Sequence, residues 1–201
     1  MTKPFSQACE NNKRPILAVL ERYLQGRSVR LLEIGSGTGQ HAAYFCPQLP
    51  GVRWHSTDLP EAHAGIEAWR LDTNASNFMP PRALDVRAED WALADDEAVD
   101  AVFTANTLHI MSWPAARAFF AGVGRVLAPG GLLLVYGPFN YAGALTSQSN
   151  ERFDAWLRSR DAESGIRSFE DANAEAICAG LELVEDCEMP ANNRMLVWRA
   201  A

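Results

Sequence analysis

Long hydrophobic runs are absent from this chain of 201 residues. The most apolar stretch, Leu132 to Tyr136 with its flanks, is far shorter than the roughly 20 residues that cross a bilayer as a helix. The first residues, MTKPFSQACENNK, are polar and lack the apolar segment of a secretory signal. We therefore expect a cytoplasmic protein that does not associate with a membrane.

Cysteine is scarce as well, with four residues at positions 9, 46, 178 and 187. They are far apart and form no C-x-x-C pair, which argues against a disulfide framework and favours a reducing compartment. The four histidines, at 41, 55, 63 and 109, also lack the spacing of metal ligands. The sequence therefore predicts no metal site.

Positively charged residues are fewer than negatively charged ones: the chain has 18 basic and 25 acidic residues, and its net charge is −7. No run of Lys or Arg occurs, and phosphate-rich surfaces require concentrated positive charge. A nucleic-acid partner is therefore disfavoured, and a small-molecule substrate is expected, with a protein acceptor left open. Nothing in the sequence fixes the oligomeric state.

Short apolar segments alternate with segments of helical period, which is typical of a parallel sheet built from βαβ units. Five such strands are predicted, and two more near the carboxyl end form an apparent hairpin. The pattern predicts an α/β, Rossmann-like fold, a doubly wound and mostly parallel sheet with an antiparallel C-terminal hairpin, in a single domain over 1–201. The predicted strands span residues 29–34, 52–57, 83–86, 99–104, 132–136, 181–187 and 195–199.

A glycine-rich loop, within LLEIGSGTG at residues 31–39, connects the first strand to a helix. Glycines suit a tight turn that a ligand approaches closely, because no Cβ is in the way. The spacing is G-x-G-x-G, and Gln40 stands where dinucleotide-binding loops have their third glycine. Glu33 would repel a pyrophosphate but attract a cationic amino group. The ligand contacts predicted here are Glu33, Gly35, Ser36, Gly37 and Gly39.

Polar side chains follow the next three strands. Asp58 ends the second strand, where a carboxylate can accept hydrogen bonds from both hydroxyls of a ribose. Asp85, after the third strand, could reach an adenine amino group, and Asn106, after the fourth, the other end of the ligand. Each alone also fits a turn residue. Together with the loop they predict an S-adenosylmethionine site, to which Leu59 and the backbone of Val86 are added.

Through residues 33–39, Asp58 and Asp85 the sequence resembles the class I S-adenosylmethionine-dependent methyltransferases. More closely, and over nearly the whole chain, it resembles the methyltransferase-like protein 26 family. The segments that carry this closer resemblance are Phe5-Ser6, Asn12, 32–41, 84–86, Asn106, 108–110, Trp113, 136–139, 149–150, 153–154, 165–167 and 189–193.

The resemblance implies the seven-stranded methyltransferase fold, with S-adenosylmethionine as cofactor and S-adenosylhomocysteine as product. It also favours residues 1–26 as an N-terminal helix, with Phe5 to Lys13 folding over the cofactor as a lid and Asn12 contacting the ligand, although simple packing as an extra helix is the alternative. It implies no methyl acceptor. Asn11 and Ser164 depart from the family pattern, where an arginine and a tryptophan are expected.

Methyl transfer from a sulfonium depends mainly on positioning, and a base is needed only when the acceptor must lose a proton. His109, within a turn of Asn106, is the candidate base; the alternative is a histidine packed at a helix start. Arg167 would favour a carboxylate or phosphate on the acceptor if it faced the pocket. Alternative roles are also open for Tyr136, as a strand end, and for residues 192–193, as a hairpin turn. The candidate acceptor contacts are Trp113, Tyr136, Asn140, Arg167, Asn192 and Asn193.

Three functions remain open on these residues. The first is a methyltransferase that acts on a small-molecule acceptor, and the second is a NAD-dependent oxidoreductase. The third is a protein that binds S-adenosylmethionine without catalysis, because a fold and a cofactor do not establish turnover.

Overall fold

The computed structural model describes residues 3–89, 91 and 98–201. These divide by compactness into two units. The first contains residues 3–85 and 99–104, and the second contains the described residues among 86–98 together with 105–201.

The first unit carries a parallel sheet, and its described strands follow the order β3-β2-β1-β4. Helices precede and separate these strands along the chain. The elements are α1 (Gln7–Leu24), β1 (Val29–Ile34), α2 (Gln40–Phe45), β2 (Val52–Asp58), a 3-10 turn (Pro60–Ala62), α3 (His63–Thr73), β3 (Arg82–Ala83) and β4 (Val99–Ala105, of which Ala105 belongs to the second unit).

The core of the first unit is largely aromatic. Phe45 of α2 lies 5.5 Å from Trp54 of β2 and 6.1 Å from Phe103 of β4, between ring centroids. All three side chains are buried. Ser6 caps the N-terminus of helix α1, since its hydroxyl accepts a hydrogen bond from the Cys9 amide. The buried face of the helix includes the apolar side chains of Ile16, Leu17, Leu20 and Leu24.

The second unit carries an antiparallel sheet in the order β5-β9-β8 and a short parallel pair, β6 with β7. Ser112 caps the N-terminus of helix α4, since its hydroxyl accepts a hydrogen bond from the Ala115 amide. The elements are α4 (Trp113–Val126), β5 (Leu127–Gly137), β6 (Phe139–Asn140), α5 (Gln148–Arg160), β7 (Arg167–Ser168), α6 (Phe169–Cys178), β8 (Leu181–Met189), a 3-10 turn (Pro190–Asn192) and β9 (Asn193–Ala200).

The predicted fold class is confirmed. Parallel strands alternate with helices in the first part of the chain, and the last two strands form an antiparallel hairpin, with seven strands in all besides the β6–β7 pair among the described residues. Within the same ranges, no helix combines the length and the hydrophobicity needed to span a bilayer.

Two predicted strands differ from the observed ones by more than two residues at one end. The third is only Arg82–Ala83 rather than 83–86, because two prolines precede it and only Arg82 and Ala83 pair with β2. The fifth begins at Leu127 rather than at residue 132, and it contains the Pro-Gly-Gly segment at 129–131. The β6–β7 pair was not predicted, since two-residue strands leave no periodic pattern.

Candidate functional site

The glycine loop lies at the carboxyl edge of the parallel sheet in the first unit. Gly35, Gly37 and Gly39 have φ angles of 70°, 57° and 85°, a left-handed conformation that glycine adopts at little cost. The amides of Gly35 and Ser36 both donate to the Thr57 carbonyl at 3.0 Å, which ties the loop to β2. The predicted tight turn is therefore present, at the end of β1 and beside the end of β2.

Two of these glycines differ in their surroundings. A Cβ on Gly39 would lie 2.8 Å from the Ile66 Cα of helix α3, whereas a Cβ on Gly37 would have no atom within 4 Å. Gly39 therefore permits close packing of α2 on α3, and Gly37 keeps space in front of the loop open. Gly37 is exposed and Gly39 is buried.

We expect Gly39→Ala to lower the free energy of unfolding by about 2 kcal/mol, because left-handed strain is added to a backbone clash. Gly37→Ala adds strain alone and should cost about 1 kcal/mol. Urea denaturation of both variants measures the difference. Equal losses at the two positions would contradict the packing role of Gly39.

Asp58 connects the end of β2 to the glycine loop. Its Oδ2 accepts a hydrogen bond from the Gly37 amide at 2.7 Å, and its Oδ1 accepts from the Leu59 amide at 2.7 Å. A carboxylate has about four acceptor positions, so further donors can still bind to both oxygens. The amide of Leu84 donates to the Asp58 carbonyl at 3.0 Å, and Asp85 is the next residue. The predicted contacts Asp58, Leu59 and Asp85 therefore lie close to the loop.

Glu33 is buried, with 2% of its surface exposed. Its Oε2 accepts hydrogen bonds from the Ser36 hydroxyl at 2.8 Å, the Trp54 indole at 2.9 Å and the Ser56 hydroxyl at 2.8 Å. Burial raises the pKa of the Glu33 carboxyl above its usual value, although these hydrogen bonds act in the opposite direction. Glu33 thus joins β1, β2 and the loop through one oxygen.

Residues 3–12 run beside α2 and α3. The Pro4 carbonyl accepts from the Trp69 indole at 2.8 Å, and the Ser6 amide donates to the Gln40 side chain. Asn12 is buried, and its Oδ1 lies 2.7 Å from His41 Nε2. The structure therefore gives Asn12 a protein partner, and its contact with a ligand remains a prediction, as does the lid.

In the second unit, Asn106 follows β4 with a φ of 59°, and its amide donates to the Tyr136 carbonyl at 2.8 Å. Tyr136 is itself buried near the end of β5, as the strand-end alternative predicts. Val86 is buried in a turn. The predicted residues Asn106 and Tyr136 are thus held together by the backbone.

His109 is 6% exposed and lies between the end of β5 and helix α5. A Cβ on Gly137 would be 3.7 Å from its Nδ1, and the ring meets Phe153 edge-on at 5.2 Å. Burial, together with the charge of Arg167, lowers the pKa of His109 to about 4. The imidazole is therefore neutral at pH 7, a state in which it can accept a proton.

We expect NMR titration of His109 to give a pKa near 4. Because the folded value is below the unfolded one, His109 contributes stability above pH 6.5 that is lost as the pH falls through the folded value. Arg167→Gln removes the nearby charge, so the pKa should rise. A wild-type value near 6.5 would contradict this account.

Arg167 holds the segment that contains His109. Its guanidinium donates to the carbonyls of Leu108 at 3.1 Å, Glu163 at 2.8 Å and Met111. It also lies 5.9 Å from the centre of the Trp113 ring. The structure therefore brings His109, Trp113 and Arg167 together.

The remaining predicted acceptor contacts lie on loops of the second unit. Asn140 donates to the Ile166 carbonyl at 3.3 Å, and its buried Oδ1 has no hydrogen-bond partner among the described residues. Asn192 donates to Ser149 at 3.2 Å, and Asn193 donates to the Pro190 carbonyl at 3.1 Å. The Asn193 bond closes the hairpin turn on itself, and Asn192, with a φ of 57° in that turn, connects it to helix α5.

Asn192 and Asn193 line a cavity of about 630 Å³ in the second unit. Sequence reasoning missed the other polar side chains around it. Arg194 donates to Asp186 Oδ1 at 2.7 Å, and the Tyr141 hydroxyl donates to Oδ2 at 2.8 Å. The sequence could have predicted only part of this group. A C-terminal hairpin places residues 186 and 194 on neighbouring strands, but nothing in the sequence indicates that Tyr141 lies beside them. The polar residues that line the cavity are Tyr141, Thr146, Glu188, Asn192, Asn193 and Arg194.

No group of three or more His, Cys, Asp or Glu side chains that could hold a metal ion occurs in the ranges 3–89, 91 and 98–201. The four cysteines are free thiols. The candidate functional residues form two separate groups, the glycine loop with Asp58 in the first unit and the residues around His109 in the second.

Solved structures share this fold. An O-methyltransferase family 2 protein from Planctomyces limnophilus, in complex with apigenin, matches with a TM-score of 0.82 and 18% identity over 96% of this chain and 58% of that one. Human N-acetylserotonin methyltransferase with bound S-adenosylmethionine matches at 0.74 and 15% identity, over 97% and 53%. An O-methyltransferase of neocarzinostatin biosynthesis, with S-adenosylhomocysteine and 1,4-dihydroxy-2-naphthoic acid, matches at 0.76 and 17%, over 96% and 55%.

These matches show that the chain has the class I methyltransferase fold, and it spans little more than half the length of each of the three structures. A family model described as a protein of unknown function, DUF938, matches residues 3–200. The chain therefore belongs to the DUF938 family.

Proposed function

We propose that the protein is an S-adenosylmethionine-dependent methyltransferase, as the resemblance to the methyltransferase-like protein 26 family implies, and that it acts on a small-molecule acceptor, which the excess of acidic residues favours over nucleic acid. The observation that carries the proposal is the left-handed glycine loop tied to the Asp58 carboxylate, with open space in front of Gly37. A Cβ at residue 37 would fill part of that space. The loop therefore fits a ligand that approaches the backbone closely.

The residues of the first unit would hold the cofactor. Both oxygens of Asp58 retain acceptor capacity for the two hydroxyls of a ribose. Asp85 would accept from the adenine amino group, and Leu59 would contact the adenine. When bound, S-adenosylmethionine supplies a methyl group that is already activated by its sulfonium.

Glu33 would attract the cationic amino group of the cofactor, directly or through water, and it also has a role within the protein. Its Oε2 is occupied by three donors from the protein. We therefore propose that Glu33 fixes the geometry of the loop and contributes negative potential there. Asn106, with its left-handed backbone, would contact the methionine end of the cofactor.

The residues around His109 would serve the acceptor. The neutral imidazole can take a proton from a hydroxyl acceptor, and Arg167 fixes the segment 108–111 that carries it. The similar structures contain the small aromatic compounds apigenin and 1,4-dihydroxy-2-naphthoic acid. This supports a small acceptor with a hydroxyl group for the present protein.

A thermal-shift series with S-adenosylhomocysteine, S-adenosylmethionine and NADH at matched concentrations tests the cofactor. A ligand at one hundred times its Kd stabilises the folded state by about 2.7 kcal/mol and should raise Tm by several degrees. We expect a shift with the first two compounds and none with NADH. The reverse pattern would favour the oxidoreductase and overturn the proposal.

A further inference from the structure

Three side chains of the first unit, Cys9, His41 and Asn12, contact one another in a row. Cys9 Sγ lies 3.9 Å from His41 Nδ1, and His41 Nε2 lies 2.7 Å from Asn12 Oδ1. An amide oxygen only accepts hydrogen bonds, so the ring proton of neutral His41 must be on Nε2. The lone pair of Nδ1 therefore faces the Cys9 thiol.

The His41 ring is fixed in this orientation by its neighbours. It stacks on Phe45, with centroids 5.4 Å apart and an interplanar angle of 7°, and meets the edge of Phe103 at 6.2 Å. Burial lowers the pKa of His41 to about 4, so the ring is a neutral acceptor over most of the pH range. A thiol, an imidazole and an orienting amide make up the arrangement that activates cysteine nucleophiles.

Cys9 itself is partly exposed and lies in the first turn of the 18-residue helix α1. Burial and the charge of Glu33 raise the pKa of its thiol, while hydrogen bonds with Ser6 and Thr38 lower it. The nearest charged groups on α1, Glu10 and Lys13, pair with each other, and Lys13 lies over the ring of Tyr44 on α2. The resting pair is therefore a neutral thiol beside a neutral imidazole.

We propose that Cys9 is a nucleophilic modification site for small, soft carbon electrophiles, with His41 as its general base and Asn12 as the positioning residue for His41. The Sγ–C bond forms as the bond from carbon to the leaving group breaks, and the leaving group departs as an anion. The thiol proton moves to His41 Nδ1, and the resulting imidazolium is stabilised by Asn12 Oδ1 before it releases a proton to water.

The pH dependence of alkylation by iodoacetamide tests the base. An isolated thiol reacts as its thiolate, so its rate rises tenfold per pH unit below its pKa. A thiol with a neutral base beside it reacts at a constant rate between the two pKa values. Mass spectrometry of the peptides should therefore give a flat rate for Cys9 from pH 5.5 to 8 and a rising rate for the exposed Cys178. Equal slopes for the two thiols would overturn the proposal.

Two variants extend the test. His41→Gln should slow alkylation of Cys9 at pH 6 by roughly 100-fold and restore the tenfold slope, since a general base contributes about that much. Asn12→Ala should slow it less, because the base remains but its orientation is lost. Cys46, 1% exposed, reports unfolding in each variant through its own alkylation. If His41→Gln unfolds, the rates of Asn12→Ala and the pH profile of the wild type test the role of His41. Unchanged alkylation rates of Cys9 in folded variants would contradict the assignment of His41 as its general base.

The position of Cys9 beside Thr38 of the glycine loop gives a further measurement, which rests on the proposed function. A ligand bound over the loop should shield the thiol, so S-adenosylhomocysteine should slow alkylation of Cys9 and leave Cys178 unchanged. Absence of protection, with His41-dependent alkylation retained, would overturn the placement of the methyl donor and leave the nucleophilic site standing.

Discussion

Replacing Glu33 with alanine is expected to lower the free energy of unfolding by about 3 kcal/mol. The change removes the one acceptor of three buried donors, the hydroxyls of Ser36 and Ser56 and the indole of Trp54. A buried donor that loses its partner costs about 1 to 3 kcal/mol, and removal of the desolvated carboxylate offsets part of the sum. Urea denaturation at constant pH measures the loss, and Glu61→Ala, on an exposed side chain, is the control.

Glu33→Gln separates the hydrogen bonds from the charge. Because burial raises the pKa of Glu33 in the folded state, the folded protein binds its proton more tightly than the unfolded chain does. The corresponding stability is complete below the ordinary pKa of a glutamate and is lost as the pH rises through the folded value. Glutamine cannot ionise, so the stability of Glu33→Gln relative to wild type should increase between pH 5 and pH 8. A constant difference would show that the pKa is not raised.

Glu33 also shows how far the sequence could predict the site. Its position before the glycine loop was evident, and attraction of a cationic amino group was the predicted role. The three donors that bind it come from the loop and from β2, and only the parallel register of β1 and β2 brings Trp54 and Ser56 beside it. Pairing between strands that are distant in sequence leaves no local pattern.

More of the fold than of the site could be predicted from the sequence, because the fold depends more on local patterns. Helix α1 has a capping serine and a buried stripe, and β1 is a short apolar run, so both follow from local periodicity. Strand β3 was overestimated because its length depends on pairing with β2, and β5 was underestimated because Gly130 adopts a positive φ within it. The hydrogen bonds of Arg167 to carbonyls that are distant in sequence could not be predicted from a local pattern either.

Asp58→Ala is expected to weaken binding of S-adenosylhomocysteine by roughly 100-fold. Two hydrogen bonds from ribose hydroxyls to a carboxylate are worth about 1.5 kcal/mol each, and their sum corresponds to that factor. The alanine also leaves the amides of Gly37 and Leu59 without their acceptor, which loosens the loop. Both effects weaken binding of S-adenosylhomocysteine. Asp58→Ala should therefore lower the affinity more than alanine at any other single carboxylate on this edge of the parallel sheet.

Asp58→Asn distinguishes these two contributions. Its single amide oxygen can still accept from one backbone amide, but the charge and one acceptor are gone, so we expect an intermediate loss of about tenfold. Glu182→Ala removes an exposed carboxylate from β8 in the second unit and should leave Kd unchanged. Isothermal titration calorimetry measures the Kd of S-adenosylhomocysteine for all three variants. If Asp58→Ala binds as wild type does while its Tm falls, Asp58 holds only the loop, and the ribose must bind elsewhere.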